Sequence, residues 1–256
     1  MKHSSSPLFA LALALAGAFT SFAAEPSAAA WELKSPNGRL AVQIAVRDFE
    51  TKKACPVYRV SHDGRTVLTD SALGLELENG PLGEGLRVVE SRLDRHDSTW
   101  QPVLGERSEI RDRYNQLALD LRETAKPFRR LQITFRVYDE GAAFCYTLPA
   151  QAHMADAKIV RERSEFRFTA DHPAWAGYTA QCVYTRTLLS GLKPGCERPL
   201  VVSLAPNLYA ALAEAKLVDY ARMKFAPLPG VPHALVSHLD GPVRGRLPFT
   251  DRKSVV

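Results

Sequence analysis

The chain has 256 residues, of which 46% are hydrophobic and 24% charged, and its formal net charge is +5 at pH 7. This balance is typical of a globular protein and allows one large all-β domain or two smaller domains. The basic residues are mixed with acidic ones, as in Arg161-Glu162-Arg163, so the composition argues against a nucleic-acid-binding protein.

Residues 1–23 have the three parts of a secretory signal peptide. A basic start at Lys2 precedes an apolar run from Leu8 to Phe19, and Ser21 and Ala23 supply small residues for cleavage. The apolar run is too short to span a bilayer, and no later stretch approaches the ~20 apolar residues that a membrane helix needs. We therefore predict an exported protein, periplasmic or secreted, with no membrane span after cleavage.

From residue 31 onward, stretches of alternating apolar and polar residues are separated by turn residues. The stretches around Asn37-Gly38 and around Asp63-Gly64 predict two β-hairpins, since these dipeptides favour tight turns. The most regular text lies between Trp100 and Leu148. There the alternation in Leu117–Leu121 and Leu131–Val137 predicts strands with one buried face, and Asp139-Glu140-Gly141 predicts a turn into a returning strand.

Further short β stretches follow Ile159, with turn residues at a spacing of roughly 8–12 residues. The exception is Ala210–Ala221, whose alanine content also suits a helix. We find no repeat, low-complexity linker or internal boundary, and we predict a single all-β domain built as a large antiparallel sandwich. The last residues, 251–256, end the chain without a further predicted element.

No catalytic centre is specified by residue types and spacing alone. The sequence lacks a G-x-S-x-G elbow and a glycine-rich phosphate loop, and no Cys/His spacing indicates zinc. The charged segment Gly105–Tyr114 contains Glu106, Glu109 and Asp112. Glycoside hydrolysis requires two carboxylates facing each other across a pocket, and the sequence does not bring any two of these together.

The four cysteines are Cys55, Cys145, Cys182 and Cys196. In an oxidising compartment several pairings are open. Cys182 and Cys196 are the favoured pair because they flank a Gly/Pro/Lys loop, and the short ring they would close contributes about 3 kcal/mol. Cys145 lies in a predicted strand and equally suits a buried free thiol.

Several motifs resemble the N-terminal domain of glycoside hydrolase family 97. The segment Trp100–Leu117 reads W-x-P-V-x-G-E-R-S-E-I-R-D-x-Y-N-Q-L, and Phe135–Tyr146 reads F-R-V-Y-D-E-G-A-A-F-x-Y. Further matches are S-P-N-G-R-L, which begins at Ser35, and A-E-A-K-L-V-D-Y-A-R-M in Ala213–Met223. The matches run in order over roughly Trp31 to Thr250, so the resemblance places the domain at residues 24–250.

The resemblance implies part of an exported, calcium-dependent α-glycosidase that acts on α-linked carbohydrate, as an α-glucoside or α-galactoside. In that family an N-terminal β-super-sandwich, similar in fold to galactose mutarotase, precedes a (β/α)8 catalytic barrel. A barrel needs ~250 further residues, and residues 251–256 do not match the family's continuation. The chain is then a fragment that contains no catalytic residue and is inactive alone.

The resemblance also implies that this domain packs against the barrel, helps to form the sugar pocket and lends one carboxylate to the calcium site. By position that carboxylate is Glu214, and a hard oxygen ligand suits calcium. The sequence departs from the family pattern at Ala213, where histidine is expected, and Lys216 adds a positive charge nearby. Trp175 is a candidate substrate-binding residue because aromatic faces stack on sugar rings, with a core or interface role as the alternative.

Two other functions fit the same fold. A stand-alone carbohydrate-binding module would end naturally near residue 256. A mutarotase-like sugar epimerase would need a histidine and a carboxylate that converge on the concave face of the sandwich, and the sequence does not place such a pair.

Overall fold

The structure is a computed structural model that describes residues 29–215, 217–251 and 253–255. The predicted signal peptide, residues 1–23, lies outside the described residues, as does Lys216. The described part forms 21 β-strands and one turn of 3-10 helix, Leu189–Gly191, and it contains no α-helix. Among these residues no helix has the length and apolarity needed to cross a membrane.

The strands, in chain order, are β1 (Ala29–Lys34), β2 (Leu40–Phe49), β3 (Lys52–His62), β4 (Arg65–Ala72), β5 (Leu75–Leu77), β6 (Gly80–Leu82), β7 (Leu86–Trp100), β8 (Ile110–Glu123), β9 (Arg130–Tyr138), β10 (Ala142–Leu148), β11 (Asp156–Glu162), β12 (Glu165–Arg167), β13 (Pro173–Ala176), β14 (Thr185–Leu188), β15 (Leu200–Ala205), β16 (Leu208–Ala213), β17 (Met223–Pro227), β18 (Ala234–Leu239), β19 (Val243–Arg246), β20 (Phe249–Thr250) and β21 (Lys253–Val255).

The predicted hairpins are confirmed. Asn37-Gly38 joins β1 to β2, and Asp63-Gly64 joins β3 to β4 with both residues at positive φ, +48° and +75°. Such a pair of left-handed residues matches the right-handed twist of the flanking strands. The third predicted turn, at residues 139–141, joins β9 to β10 in antiparallel register.

Four antiparallel sheets make up the sandwich. The largest has ten strands in the order β14-β13-β15-β16-β21-β10-β9-β8-β7, with β20 pairing to β10. The smaller sheets have the orders β1-β2-β3-β4, β19-β11-β5-β6 and β12-β18-β17. One hydrophobic cluster joins them, and it includes Leu119 and Ile133 of the large sheet together with Ile44 and Phe166 of the smaller ones. The predicted all-β antiparallel super-sandwich is therefore confirmed.

Alternation along the central strands decides which side chains reach this core. In β9, Leu131, Ile133, Phe135 and Val137 are at most 2% exposed, whereas the residues between them are only partly buried. Since successive side chains point to opposite faces of a strand, the large sheet has an inner face in the core and an outer face. The outer face carries the polar and aromatic side chains that concern function.

In the C-terminal half the structure decides one open alternative and corrects one expectation. The helical alternative for Ala210–Ala221 fails because Leu208–Ala213 forms β16, which is hydrogen-bonded to β15. The chain also continues into one more element after residue 250. Lys253–Val255 forms β21, which pairs with β10 on one side and with β16 on the other. This strand is formed by backbone hydrogen bonds. Because almost any residue can make them, the side-chain pattern of the sequence does not reveal the strand.

Candidate functional site

The half of the large sheet formed by β13, β15 and β16 carries one of the two predicted site residues, Trp175. Antiparallel register places Trp175 opposite Val201 and Val201 opposite Ala211. The neighbouring residues Ala174 and Leu200 are fully buried in the core. Because side chains alternate between faces, Trp175 lies on the outer face. It is half-buried and is not part of the core.

Trp175 lies in a shallow aromatic depression. Five side chains line this depression, whose volume is about 540 Å³, and we call them the aromatic surface: Trp175, Tyr184, Pro199, Val201 and Tyr209. The rings of Trp175 and Tyr209 lie 6.0 Å apart with tilted planes. Tyr209 is 57% exposed and Tyr184 49% exposed, which is high for large aromatic side chains.

An exposed cluster of this kind suits binding. Aromatic rings combine a large apolar area with, in tyrosine and tryptophan, a polar group at the edge, and they are enriched where proteins meet ligands or other proteins. The sequence analysis singled out Trp175 alone. Tyr184, which directly precedes β14, was missed because only the pairing of β13 with β14 brings it to Trp175. Tyr209 was missed because it reaches Trp175 through the pairing of β13 with β15 and of β15 with β16.

Glu214, the second predicted site residue, lies one residue beyond the end of β16. Its side chain is only 4% exposed. Oε1 accepts a hydrogen bond from the backbone N–H of Met223 at 3.0 Å. Oε2 contacts the guanidinium of Arg198 as an ion pair. Arg198 directly precedes Pro199, so the ion pair adjoins the aromatic surface.

A wider network of charges surrounds this ion pair. The carboxylate of Glu197 is 8% exposed and lies 3.4 Å from Arg198, 2.8 Å from Arg222 and 3.5 Å from Lys224. A hydrogen bond from Lys224 to Asp240 raises the pKa of the lysine and lowers the pKa of the aspartate. Paired charges of this kind hold β17 and β18 against the loop that precedes β15.

The calcium proposal can be tested against the donors at this place. Calcium takes six to eight oxygen ligands. Within the described residues no group of three or more His, Cys, Asp or Glu side chains is placed to hold a metal ion. Glu214 is a buried carboxylate whose Oε2 contacts the guanidinium of Arg198, and it fits a single carboxylate lent to a site that other ligands complete. Arg198 would then have to leave Oε2, because like charges at contact distance repel.

Cys55, Cys182 and Cys196 are free thiols in this structure. Cys196 is buried, and burial raises the pKa of its thiol. A backbone hydrogen bond at Gly177 acts in the opposite direction, and the nearby charge of Glu197 adds to the rise. Burial also raises the pKa of Cys55, to about 11. The predicted disulfide between Cys182 and Cys196 is not formed here and stays a prediction.

The charged segment Gly105–Tyr114 lies at the tip of the β7–β8 hairpin and in the start of β8. Glu106 and Glu109 are exposed there. Asp112 pairs with His96 across the hairpin, at 3.5 Å between Oδ2 and Nε2. These two side chains contact each other and do not face each other across a pocket, so they do not form the arrangement that an epimerase needs.

Comparison with known proteins gives a consistent family signal. Residues 33–242 match the family model described as glycosyl-hydrolase 97 N-terminal. The chain is 30% identical over 183 residues to a probable retaining alpha-galactosidase of Streptomyces bingchenggensis, covering 66% of this chain and 26% of that protein. It is 24% identical over 232 residues to a retaining alpha-galactosidase of Bacteroides thetaiotaomicron, covering 83% of this chain and 32% of that protein.

The fold also matches a solved structure, a glycoside hydrolase family 97 enzyme from Pseudoalteromonas sp. strain K8 in complex with acarbose. The TM-score is 0.76 at 23% sequence identity, and the match covers 88% of this chain and 35% of that chain. At this identity the likeness shows the fold alone. In each comparison the chain spans about a third or less of the matched protein.

Proposed function

The chain belongs to the glycosyl-hydrolase 97 N-terminal family, and from this membership we propose that it is the first domain of an exported α-glycosidase. In this proposal the domain forms part of the sugar-binding pocket and of the interface to a (β/α)8 catalytic barrel. The match over residues 33–242, to relatives named alpha-galactosidases that are much longer than this chain, carries the proposal. Hydrolysis would take place in the part of such a protein that this chain does not cover.

The aromatic surface is our candidate for the interface and pocket wall. Burial of about 100 Å² of apolar surface contributes roughly 2.5 kcal/mol, so three partly exposed rings are a substantial source of binding free energy. The rings of Trp175 and Tyr209 line the same depression on the outer side of the sheet. Either a sugar ring or an apolar patch of the barrel would stack on them.

The direct test is a hydrolysis assay. The chain alone should not hydrolyse p-nitrophenyl α-glucoside or α-galactoside, whereas a longer version that includes the barrel should hydrolyse at least one of them. Turnover by the chain alone, dependent on calcium and absent from a mock purification, would overturn the proposal. A longer version without activity on either substrate would remove the α-glycosidase assignment.

For calcium we propose that Glu214 supplies one oxygen ligand to a site completed by the barrel. Bound calcium would supply a local positive charge at the boundary between the domains. Replacing Glu214 by Gln in the longer version should weaken calcium binding at least tenfold, because a neutral amide replaces a carboxylate. Isothermal titration with calcium measures this, with Glu197→Gln as the control for general loss of negative charge. An unchanged calcium affinity in Glu214→Gln would remove Glu214 from the site.

Export and the stand-alone alternative are decided by one measurement. We propose that the protein leaves the cytoplasm and that residues 1–23 are removed, which an intact mass of the native product would establish from its N-terminus. The same mass tests the alternative of a stand-alone carbohydrate-binding module, which the exposed aromatic surface also suits. A native product that ends near residue 256 would favour the module, and a product several times heavier would favour the multidomain enzyme.

A further inference from the structure

A second concave region lies on the outer face of the large sheet, away from the aromatic surface. It is a groove of about 810 Å³, formed mainly by β7, β8, β9 and β10. Its volume is in the range of small-molecule sites, which run from about 300 to 1,000 Å³. No residue of the aromatic surface lines it, because β21 lies between β16 and β10 in the sheet.

The register of the four strands explains the shape of the groove. Ala118, Thr134 and Cys145 lie side by side across β8, β9 and β10, so a row of small side chains forms its floor. On either side of this row, paired positions carry longer polar side chains. One flanking row holds Asp120 with Gln132, and the other holds Asp94, Gln116 and Arg136. The result is a trough with a low floor and two polar walls.

The walls are held in place by bonds between their own side chains. Gln132 donates to Asp120 at 3.0 Å, and Arg92 donates to the other oxygen of the same carboxylate at 3.3 Å. Arg136 donates from Nε to Gln116 Oε1 at 2.8 Å. Preorganised polar groups of this kind lose little conformational entropy when a ligand binds.

Hydrogen-bonding capacity remains on these walls. Within the described part of the chain, the amide nitrogen of Gln116 and the carbonyl oxygen of Gln132 have no protein partner. Tyr138 also lines the groove, and burial raises the pKa of its phenol, so it is a neutral hydroxyl at physiological pH. The guanidinium of Arg136 lies 4.4 Å above the ring of Tyr114, which helps to hold it in place.

The charges in the groove balance. Arg92, Asp94 and Arg136 are the charged residues that line the groove. Arg92 is paired with the buried carboxylate of Asp120 next to the lining, so the charges of these four residues cancel. An anionic ligand such as phosphate would find both guanidiniums already engaged with acceptors or a ring. A neutral ligand with many hydroxyl groups can both donate to and accept from amide, hydroxyl and guanidinium groups at once.

We propose that this groove is a binding site for a neutral oligosaccharide, separate from the aromatic surface. The inference rests on the proposed function, since it takes the ligand to be a carbohydrate. The groove would be a second carbohydrate site, in which a glycan chain lies along the outer face of β7–β10.

The test uses the chain itself, labelled with ¹⁵N and titrated with maltotriose and with raffinose while amide shifts are followed by NMR. Saturable shifts should map to β8, β9 and β10. Arg136→Ala and Gln132→Ala should each weaken binding about five- to tenfold through the loss of one or two hydrogen bonds. Arg130→Ala, which removes an exposed guanidinium of β9 outside the groove, should leave binding unchanged. If Arg136→Ala lowers the melting temperature of the protein, the effect of Gln132→Ala on binding decides the test.

Three results would overturn the inference. These are the absence of saturable shifts with either trisaccharide, shifts confined to β13–β16 and abolished by Trp175→Ala, and tighter binding of inorganic phosphate than of both sugars. None of these results bears on hydrolysis by the longer protein. A negative result for binding in the groove can therefore be distinguished from a negative result for the proposed function.

Discussion

At the scale of single residues, Arg129 connects parts of the chain that are distant in sequence. Its guanidinium is 7% exposed and makes a bidentate pair with Glu123, with Nη2–Oε1 at 2.6 Å and Nε–Oε2 at 3.0 Å. It also donates to Asn79 Oδ1 at 2.8 Å and to the carbonyl oxygen of Pro81 at 2.5 Å. All of these acceptors are satisfied by one buried cation, which fixes the β5–β6 turn against the end of β8.

Replacing Arg129 by Met should therefore lower the free energy of unfolding by about 3–5 kcal/mol, because it leaves the Glu123 carboxylate buried without its partner. Urea denaturation followed by circular dichroism measures the change. The adjacent Arg130 is exposed and provides a matched control. Arg130→Met should change stability by less than about 0.5 kcal/mol. Equal effects of the two substitutions would contradict the structural role of Arg129.

At the scale of strands, charged pairs in the sheet β19-β11-β5-β6 connect β5 to β11 and to the residue that follows β11. Glu76 of β5 accepts hydrogen bonds from Arg161, at 3.0 Å, and from Arg163, at 2.9 Å. These hydrogen bonds lower the pKa of Glu76 below its ordinary value of 4.5. A carboxyl group with a lower pKa in the folded state binds fewer protons there than in the unfolded chain.

Glu76 should accordingly stabilise the fold above pH 4.5, and this contribution should be lost as the pH falls through its folded-state pKa. Urea midpoints at pH 6 and pH 3 measure the loss. In Glu76→Gln the difference between the two midpoints should be smaller than in the parent, since the group no longer titrates. Glu84→Gln, which changes an exposed carboxylate with no ion pair among the described residues, is the control. If the difference between the urea midpoints at pH 6 and pH 3 is the same in Glu76→Gln as in the parent, Glu76 does not contribute to the pH dependence of stability.

At the scale of the whole molecule, the large sheet is continuous because β21 fills the space between β10 and β16. Val255 pairs with Ala142 on one side and with Leu212 on the other. The outer face is thereby divided into the aromatic surface and the groove, which lie on opposite sides of this strand. Without it, β16 and residues 142–144 of β10, which β20 does not cover, would each present an unpaired edge.

Deleting residues 251–256 should lower the melting temperature by several degrees, since a loss of 1 kcal/mol corresponds to about 2–4 °C in a domain of this size. Differential scanning calorimetry measures the shift. Replacing Lys253 and Ser254 by alanine instead keeps the backbone hydrogen bonds and is the matched control. A deletion that melts at the parent's temperature would show that β21 does not hold the sheet together.

The strands and most turns could be predicted because their signals are local. Alternating residues in Leu117–Leu121 and Leu131–Val137 specify a buried face, and Asp63-Gly64 specifies a tight turn, whatever lies elsewhere in the chain. The family could also be recognised from ordered motifs, and the match over residues 33–242 confirms it. The helical alternative for Ala210–Ala221 was wrong because propensity is weak where tertiary pairing is available.

The sequence by itself determined the all-β class, the hairpins, the family and the choice of Trp175 and Glu214 as candidates. Only the tertiary structure decided what surrounds them. Tyr209 meets Trp175, Arg198 meets Glu214, and small residues of three strands form the floor of the groove, because strand order and register join residues far apart in the chain. Strand order and register depend on the packing and hydrogen bonding of all the strands together, and they cannot be read from the pattern of any one segment.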